Sequence, residues 1–254
     1  MELKIKVCEE YLKRTGVLKT FDSCIHCHKG NINVVRDGKY YKCSSCNKEF
    51  SVKKDSILEG LKIDYLKFLT LLDYFEKGYT IRFTSKETKI SKGTVKKVFG
   101  LCRKLIFQSL SGDSEIPPVE TIYFESMDIP VFGIAITDKK LRIDYLKHIS
   151  ISDFFKLKLK KRWFGRLVCT CPYQNYESLI AFGIPNRVKY MGCAEAKPVN
   201  VKLIKALRLD ILSIIFKTPY SSTLLFSILK EMEFRVNAED VYESLITLLK
   251  NYKK

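Results

Sequence analysis

Residues 24–46 read CIHCHKGNINVVRDGKYYKCSSC, and the fold turns on them. Cys24 and Cys27 form one C-x2-C pair, Cys43 and Cys46 a second, with fifteen residues between the pairs. That is zinc-site spacing: each pair sets two thiolates on one ion, and two pairs complete a tetrahedral sulfur shell with no open position. Between the pairs, Ile32, Val34 and Val35 precede Asp37-Gly38, and Tyr40 and Tyr41 follow. Asp-Gly between β-prone runs predicts a tight hairpin turn. The stretch therefore reads knuckle, hairpin, knuckle: a zinc ribbon holding one structural Zn2+ on Cys24, Cys27, Cys43 and Cys46. Free buried thiols would not explain two matched pairs around a hairpin. His26 and His28 read as exposed loop residues, because four thiolates already fill the shell.

The rest of the composition narrows the class of protein. The 254 residues are 46% hydrophobic and 12% aromatic, which describes a packed globular chain. The net charge is +17, an excess no fold requires and which costs self-repulsion. A polyanion is the simplest partner, with nucleic acid first and an anionic membrane surface second; with the helix-turn-helix region at 55–112, the expected partner is double-stranded DNA. No apolar run approaches the roughly 20 residues needed to span a bilayer, and Met1-Glu2-Leu3-Lys4 opens no signal-peptide core. Cys8, Cys102, Cys169, Cys171 and Cys193 show no disulfide pattern, so a reducing, intracellular, DNA-associated setting is expected, cytoplasm and nucleoid or a nucleus.

Outward from the ribbon, four segments are expected. Residues 1–22 read as an amphipathic helix with Leu3, Ile5, Val7, Tyr11 and Leu12 apolar; 23–54 are the ribbon. Residues 55–112 read as a helix-turn-helix region. Asp64 caps a helix whose Tyr65, Phe68, Leu69, Leu72 and Phe75 recur at helical spacing, ended by Gly78. Thr80 caps a short helix through Thr88, and Ser91 caps a third, with Val95, Val98, Phe99, Cys102 and Leu105 as its apolar face. Its polar members Ser91, Lys92, Thr94, Lys96, Lys97 and Arg103 are the candidate DNA contacts, bases at the N-terminal end and phosphates along the lysines. A solvated helix face is the alternative.

Ser111-Gly112-Asp113-Ser114 and Pro117-Pro118 read as a linker. Residues 117–254 then read as a mixed-sheet domain with a helical C-terminus. Strands are expected at Thr121–Phe124, Val131–Ile136, Leu141–Leu146, Leu167–Thr170 and Arg187–Tyr190, and helices near 152–162 and 173–182. From Val199 three helical pieces follow, broken at Pro219 and Asn237. The fold class is thus α/β. The basic run Lys156, Lys158, Lys160, Lys161, Arg162 reads equally as a phosphate-contacting strip or a plain charged surface.

Three stretches carry a family resemblance. Tyr41-Lys42-Cys43-Ser44-Ser45-Cys46, then Lys48, Phe50-Ser51-Val52 and Ser56-Ile57-Leu58-Glu59-Gly60, resemble the opening of ISXO-type (Merlin superfamily) insertion-sequence transposases. Their pattern there is Y-x-C-x-x-C-x-x-x-F-S-V, then T-I-F-E-G. Ile90-Ser91-Lys92-Gly93-Thr94-Val95 is similar to that family's turn into its recognition helix. Glu231-Met232-Glu233-Phe234-Arg235-Val236-Asn237 resembles its E-x-x-F-R-x-N signature. The likeness spans most of the chain and is strongest from Tyr41 to Ile106. It implies a DNA-binding N-terminal region and an RNase H-like catalytic domain with an Asp, Asp, Glu triad on two Mg2+ ions.

The triad is where the chain departs. In the best register Phe124 stands at the first Asp, with Glu125 after it; Cys171, inside Thr170-Cys171-Pro172-Tyr173-Gln174-Asn175-Tyr176, stands at the second. Leu203, three residues past Asn200, stands at the Glu, and no acid lies between Ala196 and Leu209. Phe and Leu offer no donor, and a thiolate is too soft for Mg2+. Glu120, Glu125 and Asp128 offer a shifted register for the first position; nothing comparable replaces the third. The reading is therefore a DNA-binding, transposase-derived protein that has lost cleavage, a regulator or nucleoid-associated factor that retains its second domain as a basic or self-association (homo-oligomer) surface. The alternatives are an active strand-transfer enzyme and a zinc-ribbon module that docks on a protein.

Overall fold

The structure is a computed structural model that describes residues 2–110, 121–126, 131–136, 141–146, 168–170, 190–191, 206–207, 210–211, 213–214 and 223–252. It divides into two compact units, Met1–Leu105 with Asp240–Lys254, and Ile106–Glu239. From the sequence, one second domain is expected over residues 117–254. The last fifteen residues group instead with the N-terminal half.

The first unit opens with α1 (Glu2–Arg14). This helix stops eight residues short of the expected Asp22. Gly16 takes φ +78, and the chain turns so that the Leu18 N–H reaches the Leu12 carbonyl at 3.0 Å. That reversal buries Leu12, Val17 and Leu18, whereas Val7, expected on the apolar face, is 60% exposed.

The ribbon is a three-stranded antiparallel sheet, β1 (Ile32–Val35), β2 (Tyr40–Cys43) and β3 (Glu49–Ser51), in the order β1-β2-β3. Val35 pairs with Tyr40, so the β1–β2 loop has four residues, not the two of a tight turn. Arg36, Asp37 and Gly38 all take positive φ there, and the Lys39 N–H closes the loop on the Arg36 carbonyl at 3.1 Å. Beneath the sheet Phe21, Tyr41 and Phe50 pack ring on ring, with Phe50 5.3 Å from each of the other two.

Residues 51–63 fold into a latch. The half-buried Lys53 ammonium donates to the Leu61 and Ile63 carbonyls at 3.2 and 2.7 Å and lies over the Tyr65 ring. Burial pushes this amine below its usual range, partly opposed by Asp64. Ser56 donates to the Lys53 carbonyl at 2.6 Å, and Lys54 pairs with Glu59 at 3.1 Å.

Three helices follow: α2 (Tyr65–Glu76), α3 (Ile81–Thr88) and α4 (Lys92–Leu110). Each of the first two begins at its expected cap: Asp64 accepts from the Lys67 N–H at 2.7 Å, and Thr80 from the Phe83 N–H at 3.2 Å. On α2 the buried set is Tyr65, Phe68, Leu71, Leu72 and Phe75; Leu71 takes the core place expected for Leu69. On α4 all five expected residues, Val95, Val98, Phe99, Cys102 and Leu105, are buried. Phe75 meets Phe99 edge-on at 5.1 Å and joins α2 to α4.

The second unit holds a five-stranded mixed sheet in the order β6-β5-β4-β7-β8. Its strands are β4 (Thr121–Ser126), β5 (Val131–Ile136), β6 (Leu141–Leu146), β7 (Val168–Thr170) and β8 (Tyr190–Met191). The first three run antiparallel in series; β7 is parallel to β4, and β8 to β7. The linker expected at 111–118 and the helices expected near 152–162 and 173–182 lie outside the described residues, as does the basic run at 156–162.

Helix α5 (Thr223–Asn237) covers the β6 edge with side chains from successive turns. Asn237 accepts from the Leu141 N–H at 2.7 Å and donates to the Leu141 carbonyl at 2.6 Å. Glu233 accepts from the Ile143 N–H at 2.9 Å, and Lys230 donates to the Ile143 carbonyl at 2.7 Å. The Lys230–Glu233 pair itself is 2.6 Å apart and only 3% and 4% exposed. Glu231 braces Arg235 one turn on, at 2.7 Å. An open strand edge invites pairing with another chain; here the helix bonds the backbone of Leu141 and Ile143 on that edge.

Helix α6 (Val241–Lys250) starts at Asp240, whose carboxylate accepts from the Glu243 N–H at 2.9 Å. It buries Leu245, Ile246 and Leu249. Lys19 donates to the Lys250 carbonyl at 3.4 Å, and the Lys250 stem lies against Gly16. Burial, and the Tyr11 hydroxyl next to it, push the Tyr242 hydroxyl far above its usual range.

Candidate metal centre and polyanion-facing surface

The two cysteine knuckles have the same backbone construction. In the first, the Cys24 N–H reaches the Lys29 carbonyl at 2.9 Å, and the His28 N–H returns to the Cys24 carbonyl at 2.8 Å. In the second, the Cys43 N–H reaches the Lys48 carbonyl at 3.0 Å, and the Asn47 N–H returns to Cys43 at 2.9 Å. The hinge residue is left-handed in both, His28 at φ 61 and Asn47 at φ 56. His28 therefore occupies a backbone position and is not among the clustered ligands, nor is His26. Spacing alone did not disclose this second requirement; an Asn at the position four after the first cysteine of a pair is its trace.

The four Sγ atoms all lie within 4.8 Å of one another. Cys24 and Cys46 are 3.7 Å apart, Cys27 and Cys43 3.6 Å. A tetrahedral shell with metal–sulfur bonds near 2.3 Å sets its sulfurs about 3.8 Å apart, and a disulfide would need about 2.05 Å. The donor set thus fits a four-coordinate metal ion. Among the described residues no other group of three or more potential ligands converges.

The thiols titrate unequally. Burial acts to raise Cys43, but the N–H groups of Cys46 and Ser45 and the neighbouring thiols of Cys27 and Cys46 outweigh it and bring it to about 6. At Cys27 the Lys29 N–H acts to lower the pKa, yet burial and the other three thiols push it up to about 11. Thiolates packed this closely oppose one another's ionisation. Full ionisation of the shell requires a cation at its centre.

The candidate DNA contacts distribute over α4 in three ways. Lys92, Lys96 and Lys97 are exposed. Ser91 and Thr94 close the helix start: the Thr94 N–H donates to the Ser91 hydroxyl at 3.2 Å, and the two hydroxyls lie 2.9 Å apart. Arg103 is half-buried, its guanidinium 5.8 Å from the Phe75 ring centroid and 6.0 Å from that of Phe99. It therefore packs on the helical core.

A larger feature extends beyond these six residues. Residues 77–104 carry nine lysines and arginines and one acid, Glu87, which is nearly half of the +17 excess. Eight of the nine are exposed, and seven of these, Arg82, Lys86, Lys89, Lys92, Lys96, Lys97 and Lys104, pair with no carboxylate among the described residues. Lys77, by contrast, is held by Asp73 at 2.8 Å. Gly93 and Gly100 share the exposed side of α4, and nothing lies within 4 Å of where a Cβ would stand on either.

Of the three triad positions, Phe124 falls on β4, where its backbone pairs with Thr170 of β7. Cys171 and Leu203 lie outside the described residues. Among the described residues no helix is long and apolar enough to cross a membrane. No protein-family model matches the chain, and no curated protein matches it significantly.

Proposed function

We propose that this chain is a zinc-stabilised, duplex-DNA-binding protein built on a transposase-like plan, and that it binds DNA without cutting it. The observation that carries the reading is the set of seven exposed, unpaired basic residues on α3, α4 and the turn between them. Unpaired surface charge of one sign costs self-repulsion, which a polyanion reverses. A regular array of phosphates, which releases counterions on neutralisation, is the partner such a surface fits best. The exposed Gly100 in the interior of α4 supports it further: a helix-interior glycine costs roughly 0.5–1 kcal/mol against alanine, and no contact among the described residues offsets that. Close approach of a groove wall to the helix backbone would.

Zinc is the metal proposed for the ribbon, because four thiolates in tetrahedral array suit it among common cellular ions. The mixed sheet, with three antiparallel strands in series and two further parallel ones, supports an RNase H-like second domain. The pairing of Phe124 with Thr170, the residue before Cys171, supports adjacent first and second triad positions. Neither position carries a carboxylate, and Leu203 adds none. The test is one experiment on the full chain with labelled duplex, first for binding and then for nicking with Mg2+ or Mn2+. Binding without cleavage is expected. Metal-dependent cleavage abolished by Glu125→Gln would replace the reading with that of a working enzyme.

A further inference from the structure

Beside the basic face stands an exposed aromatic ladder. Tyr79 and Phe83 are 42% and 43% exposed. Their rings lie 4.7 Å apart at 35°, and Tyr74 continues the run 5.3 Å from Tyr79. The turn that presents them is tightly bonded. Gly78 takes φ +73 and its N–H reaches the Phe75 carbonyl at 2.9 Å; the Tyr79 N–H reaches the Tyr74 carbonyl at 3.2 Å. Thr80 caps the helix that carries Phe83. The rings are therefore pre-set, and ordering them on binding costs little. Arg82 and Lys86, both exposed, stand on the same helix as Phe83.

Resting on the reading of α3 and α4 as a duplex-binding face, we propose that Tyr79 and Phe83 form a stacking platform for unpaired nucleobases. The preferred ligand is then a duplex with a single-stranded flank. Every base has a π-face, so stacking tolerates any sequence, and each stacked base contributes roughly 1–3 kcal/mol. The flanking cations are placed for the phosphates of the same strand. A second copy of the chain fits the rings poorly, since it would bring the same seven like charges against this face.

The test compares three labelled ligands at one salt concentration: a duplex, the duplex with a short single-stranded flank, and the duplex with an abasic flank that keeps the phosphates but lacks the bases. The normal flank should bind about tenfold tighter than the abasic one. Tyr79→Ala with Phe83→Ala should erase that difference and leave duplex affinity within about twofold, while Tyr79→Trp should preserve it. Equal binding of the two flanks overturns the proposal, as does a difference that survives the double variant. A dimer in sedimentation that the double variant dissociates also overturns it. Base-dependent binding of the flank without duplex binding would overturn the duplex reading and leave the platform standing.

Discussion

Gly100 lies in the interior of α4, exposed, with open space where its Cβ would be. Gly100→Ala should raise stability by roughly 0.5–1 kcal/mol in denaturant melts, and should weaken duplex binding if a groove approaches the helix there. A stabilised variant with unchanged DNA affinity would show that no groove wall approaches the helix at Gly100. At the metal centre, Cys43→Ser should abolish stoichiometric metal, read by elemental analysis of the purified protein. The titration sets a sign: with Cys27 held up to about 11, metal entry must expel its proton, so affinity falls as pH falls. Competition with a chelator across neutral pH would measure it, and a flat profile would count against four-thiolate ligation. The four cysteines were legible because knuckle spacing is a local geometric demand. Arg103 was harder to place, because sequence records its polarity but not the direction of a long stem, which here lays its guanidinium over Phe75 and Phe99.

Helix starts were equally legible, since Asp64 and Thr80 act through backbone donors three residues away. Helix ends and loops depend on positive-φ residues, which explains both the early stop at Gly16 and the four-residue loop at Arg36–Lys39. The edge clamp of α5 was invisible to periodicity, because Lys230, Glu233 and Asn237 read as the polar face of an amphipathic helix. Glu233→Ala removes the carboxylate beside the buried Lys230 ammonium and takes away the acceptor of the Ile143 N–H, and should cost roughly 3–5 kcal/mol. Asn237→Ala orphans both Leu141 groups and should cost roughly 2–4 kcal/mol. Hydrogen exchange should show the Leu141 and Ile143 amides losing protection in the matching variant; unchanged protection would mean that the clamp contributes nothing. The last residue of the E-x-x-F-R-x-N stretch thus gains a structural reason in the Asn237–Leu141 bonds, and its first Glu and its Arg another in the Glu231–Arg235 pair.

For the whole molecule, the grouping of 240–254 with the N-terminal half makes a specific demand. A chain ending at Glu239 loses Leu245, Ile246 and Leu249 from the core of that unit, on the order of 5 kcal/mol at 1.5–3 kcal/mol per buried aliphatic side chain. Melting of that unit should fall accordingly, and an unchanged transition would contradict the packing described. Sequence could not disclose this closure, since contacts between residues more than two hundred apart leave no local pattern. The central claim is that the α3–α4 face binds duplex DNA through its unpaired cations, and the salt dependence of duplex affinity tests it most directly. The full chain should lose affinity steeply and linearly in log–log form, and Lys96→Ala with Lys97→Ala should flatten the slope by about two units if each lysine neutralises one phosphate. Affinity indifferent to salt, or a slope that the double variant leaves unchanged, would contradict it.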